Sequence, residues 1–205
     1  MVTSMHRFIA ISKNILFSAI ITCGFFSVSN AEDTKKVIDF VNHTAAEVIK
    51  VIESKETKEQ KQEALTSVFN KSVDIDWMGK FALGKYYRQL DKEKLAEYLV
   101  AYRVFLADTY VSKFTEYNGQ SFYIESVKVI SDSQYMVSTK VNNPQNSAEQ
   151  FTVAYRMKNS GDNFQIRDII AEGISLILGQ RSEFNSIISK EGIDSLIQRL
   201  KNKVK

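Results

Sequence analysis

The chain has 205 residues, of which 44% are hydrophobic and 25% are charged, with eight glycines and one proline. This composition is ordinary for a globular protein and excludes collagen-like, disordered and low-complexity chains. Lys and Arg number 27 against 24 Asp and Glu, a formal net charge of +3. Such a near-neutral balance lacks the electrostatic footprint of a nucleic-acid-binding protein.

The N-terminal segment has the pattern of a secretory signal peptide. Two basic residues and no acidic one precede a twelve-residue apolar run, Ile15–Phe26, which is too short to cross a bilayer comfortably. Ser29 and Ala31 match the small residues at the −3 and −1 positions of a cleavage site. The sequence therefore predicts that residues 1–31 are a cleaved signal peptide and that residues 32–205 form one domain. An uncleaved N-terminal anchor is the alternative.

Residues able to carry covalent or metal chemistry are scarce in the predicted mature chain. The only cysteine, Cys23, belongs to the signal segment, and one histidine, His43, remains after it. This excludes a disulfide, a thiol nucleophile and a site built from several histidines. The sequence also lacks GxSxG, P-loop, GxGxxG and HExxH motifs. We therefore expect a protein that is not an enzyme, with no catalytic residues, no metal and no cofactor.

Apolar residues recur at helical spacing in the first half of the mature chain. They predict one helix over 34–54 and a second, more charged one over 57–71. A short apolar helix follows, which we expect to begin at an N-cap formed by Asp74 or Asp76 and to end near Gly84.

The longest predicted helix runs from about Asp91 to Tyr117. Its apolar stripe is wide and rich in aromatic residues, which indicates a helix covered on more than one side. The stripe consists of Leu95, Tyr98, Tyr102, Phe105, Leu106, Tyr110 and Phe114.

The apolar period then changes from about 3.6 residues to two, which predicts strands. The four predicted strands are 121–130, 134–141, 150–158 and 163–171. Their links are short, apart from the loop Asn142–Ala148, and this favours an antiparallel meander with one apolar face. Two further helices follow, divided by Gly192. The order predicts an α+β domain in which helices cover one face of a curved four-stranded antiparallel sheet.

Several segments occur in the order typical of one known family. They are Val73–Arg88, Phe105–Tyr110, Glu116–Gly119, Asp168–Leu176 and Gln180–Phe184. The chain resembles, over about residues 35–200, the toluene-tolerance auxiliary family, the soluble periplasmic phospholipid carriers of the Mla lipid-transport pathway. It departs from the family at Gly179 and Gln180, where the family has Asn followed by an aromatic residue.

The resemblance implies a fold in which helices and a curved sheet enclose a deep apolar cavity. The cavity would take the acyl chains of a glycerophospholipid and leave the head group near its mouth. The resemblance also implies a location in the Gram-negative periplasm and a role in maintaining outer-membrane lipid asymmetry. Its partners would be an outer-membrane lipoprotein–porin complex and an inner-membrane ABC transporter with MCE-domain subunits. We expect the carrier to be a monomer.

A carrier of this kind needs large apolar side chains around a void and polar groups only at its rim. We predict that the cavity wall is formed by Trp77, Phe81, Tyr98, Tyr102, Phe105, Leu106, Tyr110, Phe114, Val137, Val153, Tyr155, Ile170, Leu176 and Ile177. For each residue, the alternative is a position in a filled core. Arg181 has two interpretations: a contact with a phosphate head group, or an ion pair with an acid such as Glu183 or Asp168.

Two other functions are open at this point. A proton-transfer enzyme of the steroid-isomerase type would need a buried, unpaired carboxyl group facing the cavity. Asp168 is the candidate, because uninterrupted alternation along its strand places it on the same face as Phe164, Ile166 and Ile170. A structural periplasmic adaptor would instead fill its cavity with its own side chains.

Overall fold

Six α-helices and five strands follow one another in the computed structural model, which describes residues 28–114, 117, 119–144, 146–161 and 163–203. Of residues 28–31, 114 and 146–149 it describes the backbone alone. The elements are α1 Val28–Glu53, α2 Lys58–Ser72, α3 Ile75–Leu83, a 3-10 helix Gly84–Gln89, α4 Lys92–Phe114, β1 Ser121–Ser131, β2 Gln134–Asn143, β3 Asn146–Ser160, β4 Asn163–Ala171, β5 Ile174–Ser175, α5 Leu176–Glu191 and α6 Ile193–Asn202. Most of the predicted signal peptide, residues 1–27, lies outside the described residues. None of the described helices combines the length and the apolar character that crossing a membrane requires.

The predicted helices are present, and polar caps set several of their ends. Thr57 begins α2 with a capping box: its side chain accepts a hydrogen bond from the backbone N–H of Gln60 at 3.2 Å, and its own N–H donates to the Gln60 side chain at 3.0 Å. Asp74 caps α3 by accepting from the backbone N–H of Trp77 at 3.3 Å. Gly84 ends α3 at a φ of +58°, which residues with a side chain rarely adopt.

Gly79 allows α3 to pack closely against α4. A Cβ at this position would lie 2.8 Å from Cδ2 of Leu99 and 2.9 Å from Cδ1 of Tyr102. We therefore expect Gly79→Ala to lower the free energy of unfolding by about 1–3 kcal/mol, because a well-packed core cannot accept another methyl group without strain. Gly179→Ala is the matched control, because an added Cβ on that residue of α5 would have no atom within 4 Å. It should raise the same quantity by about 0.5 kcal/mol. Urea denaturation measures both changes, and a Gly79→Ala protein as stable as the wild type would contradict this account of the contact.

The sheet has five antiparallel strands in the order β1-β2-β3-β4-β5, one strand more than predicted. The additional strand, β5, has two residues and pairs with Ile170 and Ala171 of β4. Two residues are too few to display an alternating pattern, so the sequence did not predict this strand. β3 begins at Asn146, and the connection before it is therefore shorter than the predicted loop Asn142–Ala148.

A bulge in β4 interrupts the alternation of its side chains. Arg156 of β3 lies opposite Asp168, while the next residue, Met157, lies opposite Ile166. Arg167 is therefore an additional residue on β4. Such an insertion shifts the alternation of the following side chains by one position. Uninterrupted alternation predicted that Asp168 and Ile170 lie on the same face as Ile166. Because of the bulge, this prediction is wrong beyond Arg167.

Two clusters of buried apolar side chains make up the core. The larger cluster, which we call the helical core, contains residues of each helix from α2 through α6, among them Tyr98, Tyr102, Leu106 and Phe184. The smaller cluster joins α1 to the sheet and consists of Val37, Val41, Tyr135, Val137, Met157 and Phe164. A layer of helices on an antiparallel sheet is the predicted α+β class.

Candidate functional site

A cavity of about 560 Å³ lies between α1, α2, the end of α4 and the sheet. Helix α1 forms one side with residues spaced three or four positions apart, so that they share one face of the helix. These residues are Phe40, Val41, Thr44, Ala45, Val48, Ile49 and Ile52. α2 and the residue after it add Val68, Phe69, Ser72 and Val73. The helical walls of the cavity are therefore almost entirely apolar.

The sheet supplies the facing wall through Phe122, Val141, Phe151, Val153, Tyr155, Ile166 and Ile169. Val153 and Tyr155 alternate along β3, and Ile169 of β4 lies opposite Tyr155. Because of the bulge at Arg167, Ile169 borders the cavity and the predicted wall residue Ile170 does not.

The remaining lining residues, Tyr110, Lys113, Tyr117, Gln120 and Ser121, lie where α4 leads into β1. Burial, and to a smaller extent the charge of Asp168, raises the pKa of Tyr110 to about 12. Burial also raises the pKa of Tyr155. Both phenols are therefore neutral at physiological pH, and these tyrosines bring no negative charge to the cavity.

Of the predicted wall residues, Tyr110, Val153 and Tyr155 border the cavity. The others lie outside its described lining. Five of them, Tyr98, Tyr102, Phe105, Leu106 and Ile177, are buried in the helical core, and Val137 is buried in the smaller cluster. Trp77 and Phe81 pack against the helical core, while Ile170 and Leu176 are half-buried. The side chain of Phe114 lies outside the described residues.

Most of the described side chains in the aromatic stripe of α4 pack against other helices, and Tyr110 is the one among them that borders the cavity. Tyr98 and Tyr102 stack with ring centroids 5.6 Å apart. Their hydroxyls donate to the Gly79 carbonyl oxygen at 3.1 Å and to Oε1 of Gln180 at 2.7 Å, on α3 and α5 respectively. Phe184 meets the Tyr102 ring edge-on at 6.0 Å. The stripe is wide because several helices pack against α4, as predicted for a helix covered on more than one side.

Arg181 belongs to a stack of side chains on α3 rather than to the cavity. Its guanidinium lies over the Phe81 ring at 4.7 Å, and the Phe81 ring stacks on Trp77 at 5.0 Å. Arg167 lies over the other end of the stack, 4.7 Å from the Trp77 ring. Glu183, one of the two acids suggested as partners of Arg181, pairs with Lys203 at 3.4 Å. The cation–π contact with Phe81 therefore accounts for the position of Arg181.

Asp168 is buried, and its carboxylate is occupied by hydrogen bonds. It accepts from the Ser175 hydroxyl at 2.6 Å and from the backbone N–H of Ile177 at 3.2 Å. It therefore holds the start of α5 and lies outside the cavity lining. Asp168 is therefore not the unpaired, cavity-facing carboxyl group that a proton-transfer site needs. Among the described residues, no three His, Cys, Asp or Glu side chains come together as a metal site would require.

The contribution of α1 to the cavity is the main feature that sequence reasoning missed. The signal was present, because apolar residues recur along one face of this helix from Val41 to Ile52. Spacing alone predicted a buried face and did not indicate that this face borders a cavity.

Comparison with known proteins agrees with the arrangement of helices, sheet and cavity. A family model described as MlaC protein matches residues 42–202, which run from α1 to α6. The chain belongs to the MlaC family. The resemblance inferred from the motifs is thereby confirmed.

Two relatives are similar over more than half of this chain. The binding protein MlaC of the intermembrane phospholipid transport system of Haemophilus influenzae is 24% identical over 131 residues, which cover 62% of this chain and 61% of the relative. The toluene tolerance protein ttg2D of Pseudomonas putida is 25% identical over 133 residues, which cover 64% of this chain and 61% of the relative. The chain thus matches about 61% of the length of each relative.

The fold also occurs in a solved structure. The phospholipid-binding protein from Ralstonia solanacearum, determined in complex with a phospholipid, superposes with a TM-score of 0.70 at 20% identity. The superposition covers 82% of this chain and 96% of that chain. The two proteins share a fold.

Proposed function

We propose that this MlaC-family protein is a periplasmic carrier that holds the acyl chains of a glycerophospholipid in the 560 Å³ cavity. The apolar cavity between α1 and the sheet carries the proposal, because its volume and lining are those of a site for an apolar ligand. Two comparisons support it: the Haemophilus influenzae relative is named for phospholipid transport, and the Ralstonia solanacearum protein binds a phospholipid.

The energetics of lipid transfer explain why a carrier needs such a cavity. Each CH2 group moved into water costs about 0.8 kcal/mol, so two chains of about 16 carbons oppose desorption by about 25 kcal/mol. An apolar cavity returns much of this free energy. Because the lipid is bound and released without a chemical change, its transfer requires no acid, base or nucleophile. The scarcity of such groups around the cavity suits a protein that binds and releases its ligand unchanged.

The proposal extends to the cellular role. Residues 1–31 direct export, and residues 32–205 form the carrier domain, which acts as a monomer. The carrier exchanges lipid with an outer-membrane lipoprotein–porin complex and with an inner-membrane ABC transporter bearing MCE-domain subunits. This exchange maintains the lipid asymmetry of the outer membrane. The membership of the chain in the MlaC family supports these roles.

Native mass spectrometry tests the proposal directly. The full chain is expressed in a Gram-negative host, and the periplasmic extract is purified without detergent. We expect a monomer whose polypeptide mass corresponds to residues 32–205 and which carries glycerophospholipid. Protein recovered free of lipid, and unable to take up lipid from vesicles, would falsify the proposed function.

A further inference from the structure

Two hydroxyl groups border the apolar cavity without a hydrogen-bond partner in the protein. Ser72, the last residue of α2, lines the cavity and is only 6% exposed. Tyr110 of α4 lines it as well. Within the part of the chain that the structure describes, neither hydroxyl takes part in a hydrogen bond. We call Ser72 and Tyr110 the hydroxyl pair.

The two hydroxyls belong to the same part of the cavity. Phe69 and Ser72 are three positions apart on α2, so they share one face of that helix. The Tyr110 ring stacks on the Phe69 ring with the centroids 6.0 Å apart. Phe69 therefore lies beside both members of the hydroxyl pair.

The hydroxyl pair lies toward the closed end of the cavity. Val73, which follows Ser72, bridges to Ile166 of β4, and Ile166 pairs with Met157 of β3. Phe151 marks the open end, because it borders the cavity and is 41% exposed. It precedes Met157 by six residues of β3, a distance of about 20 Å at about 3.3 Å per residue. An acyl chain that enters at Phe151 therefore brings its distal half to the hydroxyl pair.

The surroundings of the hydroxyl pair favour a ligand oxygen as its partner. Buried polar groups almost always have a hydrogen-bond partner, so an unpaired one indicates a bound molecule that supplies it. A buried water typically makes about three hydrogen bonds, whereas the walls beside the pair, Phe69, Val73 and Ile166, are apolar. An oxygen that is held in place by its own acyl chain needs only the two hydroxyls.

The chemistry of the hydroxyl pair defines the kind of oxygen that it binds. Burial raises the pKa of Tyr110 to about 12, so the phenol keeps its proton and donates. The Ser72 hydroxyl both donates and accepts. An alcohol, ketone or epoxide oxygen on an acyl chain can accept from these groups.

We propose that the hydroxyl pair is a polar subsite that makes the carrier prefer glycerophospholipids with an oxygen function on the distal half of an acyl chain. The inference rests on the proposed function and narrows its class of ligand. In a bilayer such an oxygen lies among apolar chains or draws its chain toward the surface, whereas in the cavity it meets two hydroxyl groups. One hydrogen bond gained in this way corresponds to a preference of about two- to tenfold over the same lipid without the oxygen.

The test is a competition between lipids that differ by one hydroxyl group. The full chain is expressed, and the protein recovered from the periplasm is incubated with vesicles that contain equal parts of oleoyl and ricinoleoyl phosphatidylglycerol. A second mixture pairs stearoyl with ω-hydroxystearoyl chains, so that the hydroxyl is offered at two depths. Mass spectrometry quantifies the bound lipids. We expect the hydroxylated lipid to be enriched about two- to tenfold in at least one mixture.

The double variant Ser72→Ala/Tyr110→Phe should lose this enrichment, because it removes both hydroxyls and little volume. The matched control is Tyr123→Phe/Ser126→Ala, which makes the same two changes on β1 outside the described cavity lining and should retain the enrichment. Urea denaturation adds a readout of the fold. Because neither hydroxyl is bonded to the protein, the unfolding midpoint of the lipid-free double variant should be no lower than that of the wild type.

The possible results separate the subsite from the carrier function. Enrichment that survives in the double variant, or equal uptake of the paired lipids by the wild type in both mixtures, overturns the inference while the carrier function stands. A lower unfolding midpoint of the double variant shows that the hydroxyls serve the fold and also overturns the inference. If the wild type takes up no lipid, the proposed function is overturned and the inference with it.

Discussion

Val153→Glu is expected to abolish lipid loading while the protein stays folded. Val153 borders the cavity on β3, opposite Thr139 of β2 and Ala171 of β4. A carboxylate at this position either loses its hydration, at a cost of several kcal/mol, or draws water into the space that the acyl chains occupy. The phospholipid that accompanies the purified protein in native mass spectrometry should fall below detection.

The matched control for this variant is Ala154→Glu, one residue further along β3. It adds the same charge outside the described cavity lining, because successive side chains of a strand point to opposite faces. We expect Ala154→Glu to carry lipid as the wild type does. Circular dichroism of both variants separates loss of binding from loss of folding. A folded Val153→Glu protein with a normal lipid content would show that the ligand does not occupy this cavity.

Asp74→Ala is expected to lower the free energy of unfolding by about 3–5 kcal/mol. One carboxylate oxygen of Asp74 accepts from Nε of Arg167 at 2.8 Å and from its Nη2 at 2.7 Å, and the other caps α3 through the Trp77 N–H. The two side chains are only 17% and 19% exposed. The substitution therefore leaves the Arg167 guanidinium without its carboxylate in a poorly hydrated place and removes the helix cap.

Asp76→Ala is the matched control, because it removes the same residue type two positions later. Asp76 accepts from Nη2 of Arg103 at 2.7 Å, but these side chains are 56% and 44% exposed. An exposed ion pair contributes little, so we expect a loss of less than about 1 kcal/mol. Urea denaturation followed by circular dichroism and by the fluorescence of Trp77, the single tryptophan, measures both. Equal losses in the two variants would contradict the role assigned to the Asp74–Arg167 pair.

Features set by neighbouring residues in the chain were predictable from the sequence. The short helix α3 has Asp74, one of the two predicted residues, as its N-cap and ends before Gly84, near the predicted position. Both ends were predictable because a side-chain cap and a left-handed backbone are properties of a few adjacent residues. Four of the five strands and the division of the last two helices at Gly192 were predictable for the same reason. The motifs that carry the family resemblance are also short contiguous segments.

The position of the cavity was not predictable in the same way. The bulge at Arg167 arises from pairing with β3, and it moved the lining position on β4 from Ile170 to Ile169. β5 exists only because two residues meet the end of β4. Such pairings depend on segments far apart in the sequence, which periodicity within one segment does not record.

The sequence by itself determined the helices, most of the strands, their α+β class and the family of this protein. Only the tertiary structure decided which apolar side chains border a void and which fill the core. Tyr102 and Val153 each belong to a regular apolar pattern, yet Tyr102 is enclosed by Gln180 and Phe184 of α5 while Val153 faces the cavity. The physical reason is that periodicity reports only that a face avoids water. Whether another side chain or an empty space meets that face depends on how distant elements pack against it.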